Sequence, residues 1–484
     1  MEEKIISIDQ GTSSTRSVLY SKKGELLDSS QEEFEQYFPN EGWVEHNPEQ
    51  IWNTVESTLT DLVHRNDISS NEIASIGITN QRETTVLWDK TTGRPISNAI
   101  VWQDRRTSEF CDHLSSDLDI IHKKTGLILD PYFSATKINW LLKNVDGART
   151  LAEKGDLLFG TIDTFLIWKL TNGKSHKTDI TNASRTMLFN IVNQEWDQDL
   201  LKIFDVPKQI LPEVCDNASD FGSTSILGGE VKIGGVAGDQ QAALIGQCCF
   251  RSGETKSTYG TGCFVIVNTG SQCLFSNNKL LTTIAYRLNN EITYALEGSI
   301  FVAGSAIQWL RDKLNFFEDA SETENLSKNA AEDSKVLVVP ALTGLGAPHW
   351  DANARGAIFG LTRDTGTAEI TKATLESITY QSKDLIEAIK ADDAYFEKLM
   401  IDGGMVANDW FCQKLANILE VEVERPKIIE TTSLGAAYLA GLSADLFENF
   451  GSLSKLRQVD KTFKPKKEDN NYLEWSKAVQ KILT

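Results

Sequence analysis

Lys4-Ile5-Ile6-Ser7-Ile8-Asp9-Gln10-Gly11-Thr12-Ser13-Ser14-Thr15-Arg16-Ser17-Val18-Leu19-Tyr20 runs close to the start of the chain. Lys4 to Ile8 is apolar and β-branched, which predicts a short buried strand, and Ser17 to Tyr20 predicts a second. Between them Asp9 to Thr15 forms a turn of small polar residues. Lys23-Gly24 supplies the next hairpin turn. Gly11 lets backbone approach a phosphate closely. Thr12, Ser13 and Ser14 add hydroxyls, Arg16 adds a fixed charge, and Asp9 at the strand end can hold Mg²⁺ through water. A plain Asx-type turn explains the same residues equally well. No Gly-x-x-x-x-Gly-Lys-Ser/Thr occurs, so a P-loop is not expected.

Outward from that hairpin, Pro48 to Arg65 reads as a helix, with Asn47 at its N-cap and Pro48 in the first turn. Ile51, Trp52, Val55, Leu59, Leu62 and Val63 share one face of it. Ile73 to Ile78 predicts a strand ending in Thr79-Asn80-Gln81-Arg82-Glu83-Thr84. The second half repeats the pattern. Val231 to Ala237 predicts a strand ending in Gly238-Asp239-Gln240-Gln241, with a helix from about Ala242. Ser257 to Asn268 places Tyr259-Gly260-Thr261-Gly262 between strand-forming residues, echoing the first turn. The echo suggests two related lobes. Ile401 to Asn408 reads as strand, double-glycine turn and helix start. Lys461 to Asn471 is polar and reads as a surface segment before a final short helix.

The chain has 484 residues, enough for two to four domains. Its 48 Lys and Arg against 68 Asp and Glu give a formal charge of −20. That balance argues against nucleic acid or an anionic membrane as partner. A nucleotide must then be held by local donors rather than by the overall field. The seven cysteines include no Cys-x-x-Cys pair, which suits reduced thiols in the cytoplasm. No run of 18 apolar residues is present, so no membrane span is expected, and the first residues lack the pattern of a signal peptide.

Several residues admit two readings. Asp239 can accept a hydroxyl proton as phosphate arrives, or it can cap a helix. Arg82 and Glu83 can donate to and accept from a polyol, or they can form an ordinary ion pair. Trp102 can wall a site or fill a core. Gly403-Gly404 can let an adenine ring lie on backbone, or simply turn the chain.

Long runs remove much of that ambiguity. IDQGTSSTR, PNEGWVEH, GITNQRETTVLWDKTTGRPISNAIVWQDRRT, DPYFSATK, TNASRTMLFN, AGDQQAALIGQ, TYGTGCF, YALEGSIFVAGSAIQWLRD, PALTGLGAPHWD, ARGAIFGLTR and SLGAAYLAGL span nearly the whole chain. Together they resemble the FGGY family of carbohydrate kinases, and Tyr132 to Asn144 and Gly356 to Glu376 are similar to its signature segments. The resemblance implies an α/β chain with the duplicated actin-like, ribonuclease-H-like ATPase fold, two lobes around a central cleft. Residues 1–244 would carry the polyol site and phosphate turn, and residues 245–484 the nucleotide site. Within the family, the runs are similar to those of members that transfer the γ-phosphoryl group of ATP to glycerol. The implied cofactors are ATP and Mg²⁺, and the implied assembly is a homodimer or homotetramer.

Residue by residue, the resemblance implies that Arg82, Glu83, Tyr132, Asp239 and Gln240 hold glycerol, with Trp102 and Phe264 walling its carbons. Thr12, Ser13, Ser14 and Arg16 would meet the phosphates. Thr261, Gly304 and Gln308 would contact the nucleotide, with Gly404 and Asn408 on its adenine side. Asp9 would organise Mg²⁺ and Asp239 would be the base. The segment from Phe221 to Gly234 has neither Arg nor His. The control by fructose 1,6-bisphosphate or by His phosphorylation known in some members is therefore not expected. Asp104 stands where many members have an uncharged residue. Another polyol or a ketose as substrate, or a silent regulator on the same fold, are the competing readings.

Overall fold

A computed structural model describes residues 3–351 and 353–484. The chain divides into two compact units. One comprises Met1–Cys248, Thr282–Tyr294 and Thr431–Arg457, and the other Cys249–Leu281, Ala295–Glu430 and Gln458–Thr484.

The first unit is built on a six-stranded sheet in the order Ser223–Thr224, Val231–Gly238, Ile73–Asn80, Lys4–Gln10, Ser14–Ser21, Leu26–Glu33. Lys4–Gln10 is antiparallel to Ser14–Ser21 and parallel to Ile73–Asn80, which is parallel to Val231–Gly238. The register pairs Gln10 with Asn80 and Asn80 with Gly238. Three parallel strands thus end level, and the residues that follow them gather along one edge. Functional sites of open α/β sheets lie at such carboxyl ends.

The predicted helix is Pro48–Arg65, and the Asn47 side chain accepts from the Glu49 amide as expected. Its Ile51, Val55, Leu59 and Leu62 pack on Ile6, Ile8, Ile76 and Ile78 of the sheet. Trp52 and Val63 are only partly buried. A second helix, Asp239–Gly246, is crossed by Thr431–Ser443. A Cβ on Gly435 would sit 1.8 Å from the Ala242 carbonyl oxygen, so the crossing requires glycine.

The second unit repeats the strand order. Glu254–Tyr259 is antiparallel to Cys263–Gly270 and parallel to Lys398–Asp402, which is parallel to Val423–Pro426. Val459–Phe463 closes that side antiparallel, as Ser223–Thr224 does in the first unit. The duplication suggested by the two Gly-Thr turns is therefore one of topology.

Several boundaries differ from expectation. The strand after the first turn begins at Ser14 rather than Ser17, because the ladder continues through Thr15 opposite Gln10. The turn contracts to Gly11–Ser13, closed by the Gly11 amide on the Ser14 carbonyl at 2.9 Å. The helix expected near Ala242 starts at Asp239. The first residues of the polar 461–471 segment belong to the edge strand Val459–Phe463, and the final helix is Tyr472–Gln480. No helix among the described residues is long and apolar enough to cross a membrane.

Candidate active site

Asp9 lies half-buried near the end of the central strand, opposite Arg16. Gln81 buckles the neighbouring strand to the turn. Its amide nitrogen donates to Gln10 Oε1 at 3.1 Å and to the Gly11 carbonyl at 3.0 Å, and its backbone N–H to the Gln10 carbonyl at 2.8 Å. Behind it, Gln81 Nε2 lies 3.3 Å from His46 Nδ1. Burial pushes the His46 pKa down to about 4, so the ring is neutral near pH 7. Thr12 accepts from the Trp102 indole N–H at 3.1 Å, and Ser13 is exposed. Arg16 donates twice to Gln31 Oε1, at 3.0 and 2.7 Å, while Gln31 donates to Ser14 Oγ at 3.1 Å.

Along the same edge the next two strands bring Arg82, Glu83 and Asp239 together. Arg82 Nε lies 3.0 Å from Asp239 Oδ1 and 4.0 Å from Glu83 Oε1, and its Nη1 donates to Gln241 Oε1 at 3.2 Å. Glu83 is held in turn by Arg185, whose Nε donates to Oε1 at 2.6 Å. Glu83, at φ +60, occupies the left-handed region, a strained backbone of the kind that persists where surroundings over-determine it. Arg82, Glu83 and Arg185 are buried, whereas Asp239 keeps 32% of its side chain exposed. Of the Glu83 and Asp239 carboxylates, the one open to solvent is therefore fixed by a buried guanidinium. Gly238, not Asp239, takes the helix-cap position, and the Asp239 carboxylate accepts from the Gln240 N–H at 2.7 Å. The Gln240 side chain is nearly buried.

Below this edge, the Gly238 N–H donates to Thr181 Oγ1 at 3.0 Å, and that hydroxyl donates to Asp179. Burial first, and the neighbouring Asp163 carboxylate second, raise the Asp179 pKa to about 7.

Trp102 and Tyr132 meet edge to face, with ring centroids 5.6 Å apart. The Tyr132 N–H donates to Asp130 Oδ1 at 2.8 Å, and Arg105 grips both Asp130 oxygens at 2.7 and 3.2 Å. Asp104 has a clear structural task. It accepts from the Val44 N–H at 2.7 Å and pairs at 2.8 Å with Arg106, whose guanidinium carbon lies 3.7 Å from the Trp43 ring centroid and 4.7 Å from that of Trp140.

The remaining predicted residues belong to the second unit. The Thr261 carbonyl accepts from the Ala303 and Ser305 amides and the Ser305 hydroxyl, all at 3.0 Å, leaving the Thr261 side chain exposed. The Gly304 N–H, at the start of the Gly304–Asp312 helix, donates to the Gly260 carbonyl at 2.9 Å. Gln308 is exposed on that helix, and Phe264 is half-buried on the strand after the turn. Gly404 is exposed, and a Cβ there would meet nothing within 4 Å. Asn408 caps the Asp409–Leu419 helix by accepting from Phe411 at 3.0 Å, and its amide donates to Thr323 at 3.2 Å.

Residues 4–246 match the N-terminal domain, and residues 255–444 the C-terminal domain, of the FGGY family of carbohydrate kinases. The chain belongs to this family. It is 55% identical to the glycerol kinase of Marinomonas sp. (strain MWYL1) over 492 aligned positions, covering 100% of both chains. It is also 55% identical to that of Alteromonas mediterranea, covering 100% of this chain and 99% of the relative. A crystal structure of Plasmodium falciparum glycerol kinase with ADP superposes with a TM-score of 0.92 at 38% identity, covering 100% of this chain and 99% of that one. This FGGY kinase thus has the two-domain actin-like, ribonuclease-H-like fold.

Sequence reading overlooked several residues that hold this candidate site in place. Arg185 sits in the run TNASRTMLFN without an assigned role. A single cation in a run with no other charge was the available signal, because buried charges need partners. Gln81 and Asp179 gave no comparable signal, since their partners come from other strands.

Proposed function

We infer that this chain transfers the γ-phosphoryl group of ATP to a terminal hydroxyl of glycerol, giving sn-glycerol 3-phosphate and ADP. The observation that carries this reading is its 55% identity, over full length, to curated glycerol kinases. The geometry of the first unit supports it. Asp239, fixed by Arg82 at 3.0 Å, takes the proton of the attacking hydroxyl as its oxygen bonds to the γ-phosphorus and the bond to the β-phosphate oxygen breaks. Arg82 donates to, and Glu83 accepts from, the other hydroxyls, with Gln240 beside them. Trp102 and Tyr132 shield the carbon chain, a role the family resemblance also gives to Phe264.

Residues 1–244 carry this polyol site and the phosphate turn of Thr12, Ser13, Ser14 and Arg16. Residues 245–484 carry the nucleotide contacts, Thr261, Gly304, Gln308, Gly404 and Asn408. Asp9, half-buried near the end of its strand, offers the hard carboxylate oxygen that Mg²⁺ takes while keeping several waters. It would hold Mg²⁺, which when bound offsets phosphate charge. A homodimer or homotetramer in the cytoplasm is the setting that family resemblance supports.

An ADP-release assay with glycerol, dihydroxyacetone, xylulose and ribulose tests the reading. Glycerol should give the highest kcat/KM. A ketopentose preferred over glycerol would replace the substrate, and ADP release with none of the four would leave no kinase.

A further inference from the structure

Lys137 is fully buried on the Ser134–Asn144 helix, yet among the described residues its ammonium faces no carboxylate at hydrogen-bond distance. Its Nζ donates instead to three consecutive carbonyls, Pro131 at 2.5 Å, Tyr132 at 2.7 Å and Phe133 at 3.2 Å. An ammonium has three N–H groups, so three acceptors satisfy it completely. Burial pushes its pKa down to about 8, while the charges of Asp104, Glu83 and Asp130 oppose that fall. A buried cation spent on loop carbonyls is costly unless the loop's geometry matters.

The loop it holds is the one that presents Tyr132. Asp130 fixes the Tyr132 amide from the other side, at 2.8 Å. The Tyr132 ring then packs edge to face on Trp102 at 5.6 Å and on Phe133 at 5.0 Å. With carbonyl and amide both pinned, the backbone of Tyr132 has one orientation, and its ring stands against the tryptophan that reaches Thr12.

We propose that Lys137 is a positioning residue of the polyol site, locking the Pro131–Phe133 backbone so that Tyr132 sets the affinity for glycerol. The proposal rests on the glycerol reading above. With its three N–H groups spent on backbone carbonyls and no exposed surface, Lys137 has no donor left for substrate or phosphate. Its loss should therefore loosen glycerol binding and spare the chemical step and the nucleotide.

The test is steady-state kinetics of Lys137→Met beside the wild-type chain, with glycerol and ATP varied separately. The expected result is a glycerol KM raised roughly 10- to 100-fold, the scale on which small misplacements act, with ATP KM and kcat within about twofold. In a Tyr132→Ala background the same substitution should add less than about twofold to glycerol KM, because the two act through one contact. If Lys137→Met does not fold, Lys137→Ala assayed with propylammonium replaces it, and the amine should lower the glycerol KM again. A fall in active enzyme with both KM values unchanged would overturn the proposal. So would additive effects with Tyr132→Ala, or a chain that folds in no Lys137 variant even with the amine. Wild-type chain inactive on glycerol would instead overturn the underlying reading.

Discussion

Arg82 Nε and Asp239 Oδ1 lie 3.0 Å apart, joining residues that follow two parallel strands ending level on one sheet. The guanidinium is buried and the carboxylate is one-third exposed. Asp239→Asn keeps the side chain's size and its ability to accept from the Gln240 amide, and the helix cap belongs to Gly238. Turnover at saturating substrates should fall about 10²- to 10⁴-fold with only a small loss of Tm, because Asn is a far weaker base but can still accept from the Arg82 guanidinium, which also donates to Gln241. Near-normal turnover would leave the reaction without this base.

Arg82→Ala removes a charge-assisted donor to the polyol and frees Asp239. Calorimetry should show glycerol affinity weakened by about 1.5–3 kcal/mol, with ATP affinity nearly intact. Unchanged glycerol affinity would take Arg82 out of the site.

Gly403 and Gly404 are neighbours with different constraints. Gly403 has φ +91, and a Cβ there would lie 2.5 Å from the Tyr259 carbonyl oxygen. Gly403→Ala should lower thermal stability measurably. Gly404→Ala meets open space and should keep the wild-type Tm while raising the KM for ATP, since the proposed adenine contact lies on that backbone. Equal effects of the two on Tm would contradict this assignment.

Asp104→Ala strips a carboxylate from the buried Arg106 and an acceptor from the Val44 amide. Breaking a buried pair by removing one partner costs about 3–5 kcal/mol. Glu45, 2.8 Å from the same guanidinium, should hold the loss near the lower end. Urea denaturation is the check, and a loss below about 1 kcal/mol would mean the cluster relaxes freely.

His46 predicts an acid-side weakness. Its folded-state pKa of about 4 lies below the ordinary 6.5, so the unfolded chain takes up the proton first. The His46 contribution is complete above pH 6.5 and is lost as pH falls toward 4, on the order of 3 kcal/mol in all. His176 is depressed to about 4 as well, so the wild-type curve alone does not isolate His46. The stability gap between wild type and His46→Gln should narrow between pH 7 and pH 5. A gap independent of pH would place the His46 pKa near its ordinary value.

The amino-acid sequence by itself determined the local units and their chemistry. Apolar, β-branched runs at Lys4–Ile8 and Ile73–Ile78, the Asn47-Pro48 helix start and the glycine turns depend on interactions within a few residues, so they could be read along the chain. Repetition of the Gly-Thr turn likewise announced the duplication. Helix and strand limits near Ser14, Asp239 and Val459 were settled by ladders and packing that no local window contains. The tertiary structure alone decided that Arg82 grips Asp239, that Arg185 grips Glu83, and that Lys137 holds the carbonyls before its helix. Two of these depend on strand register and helix packing between distant segments. The third depends on burial, which leaves an ammonium only the acceptors that the folded loop turns toward it.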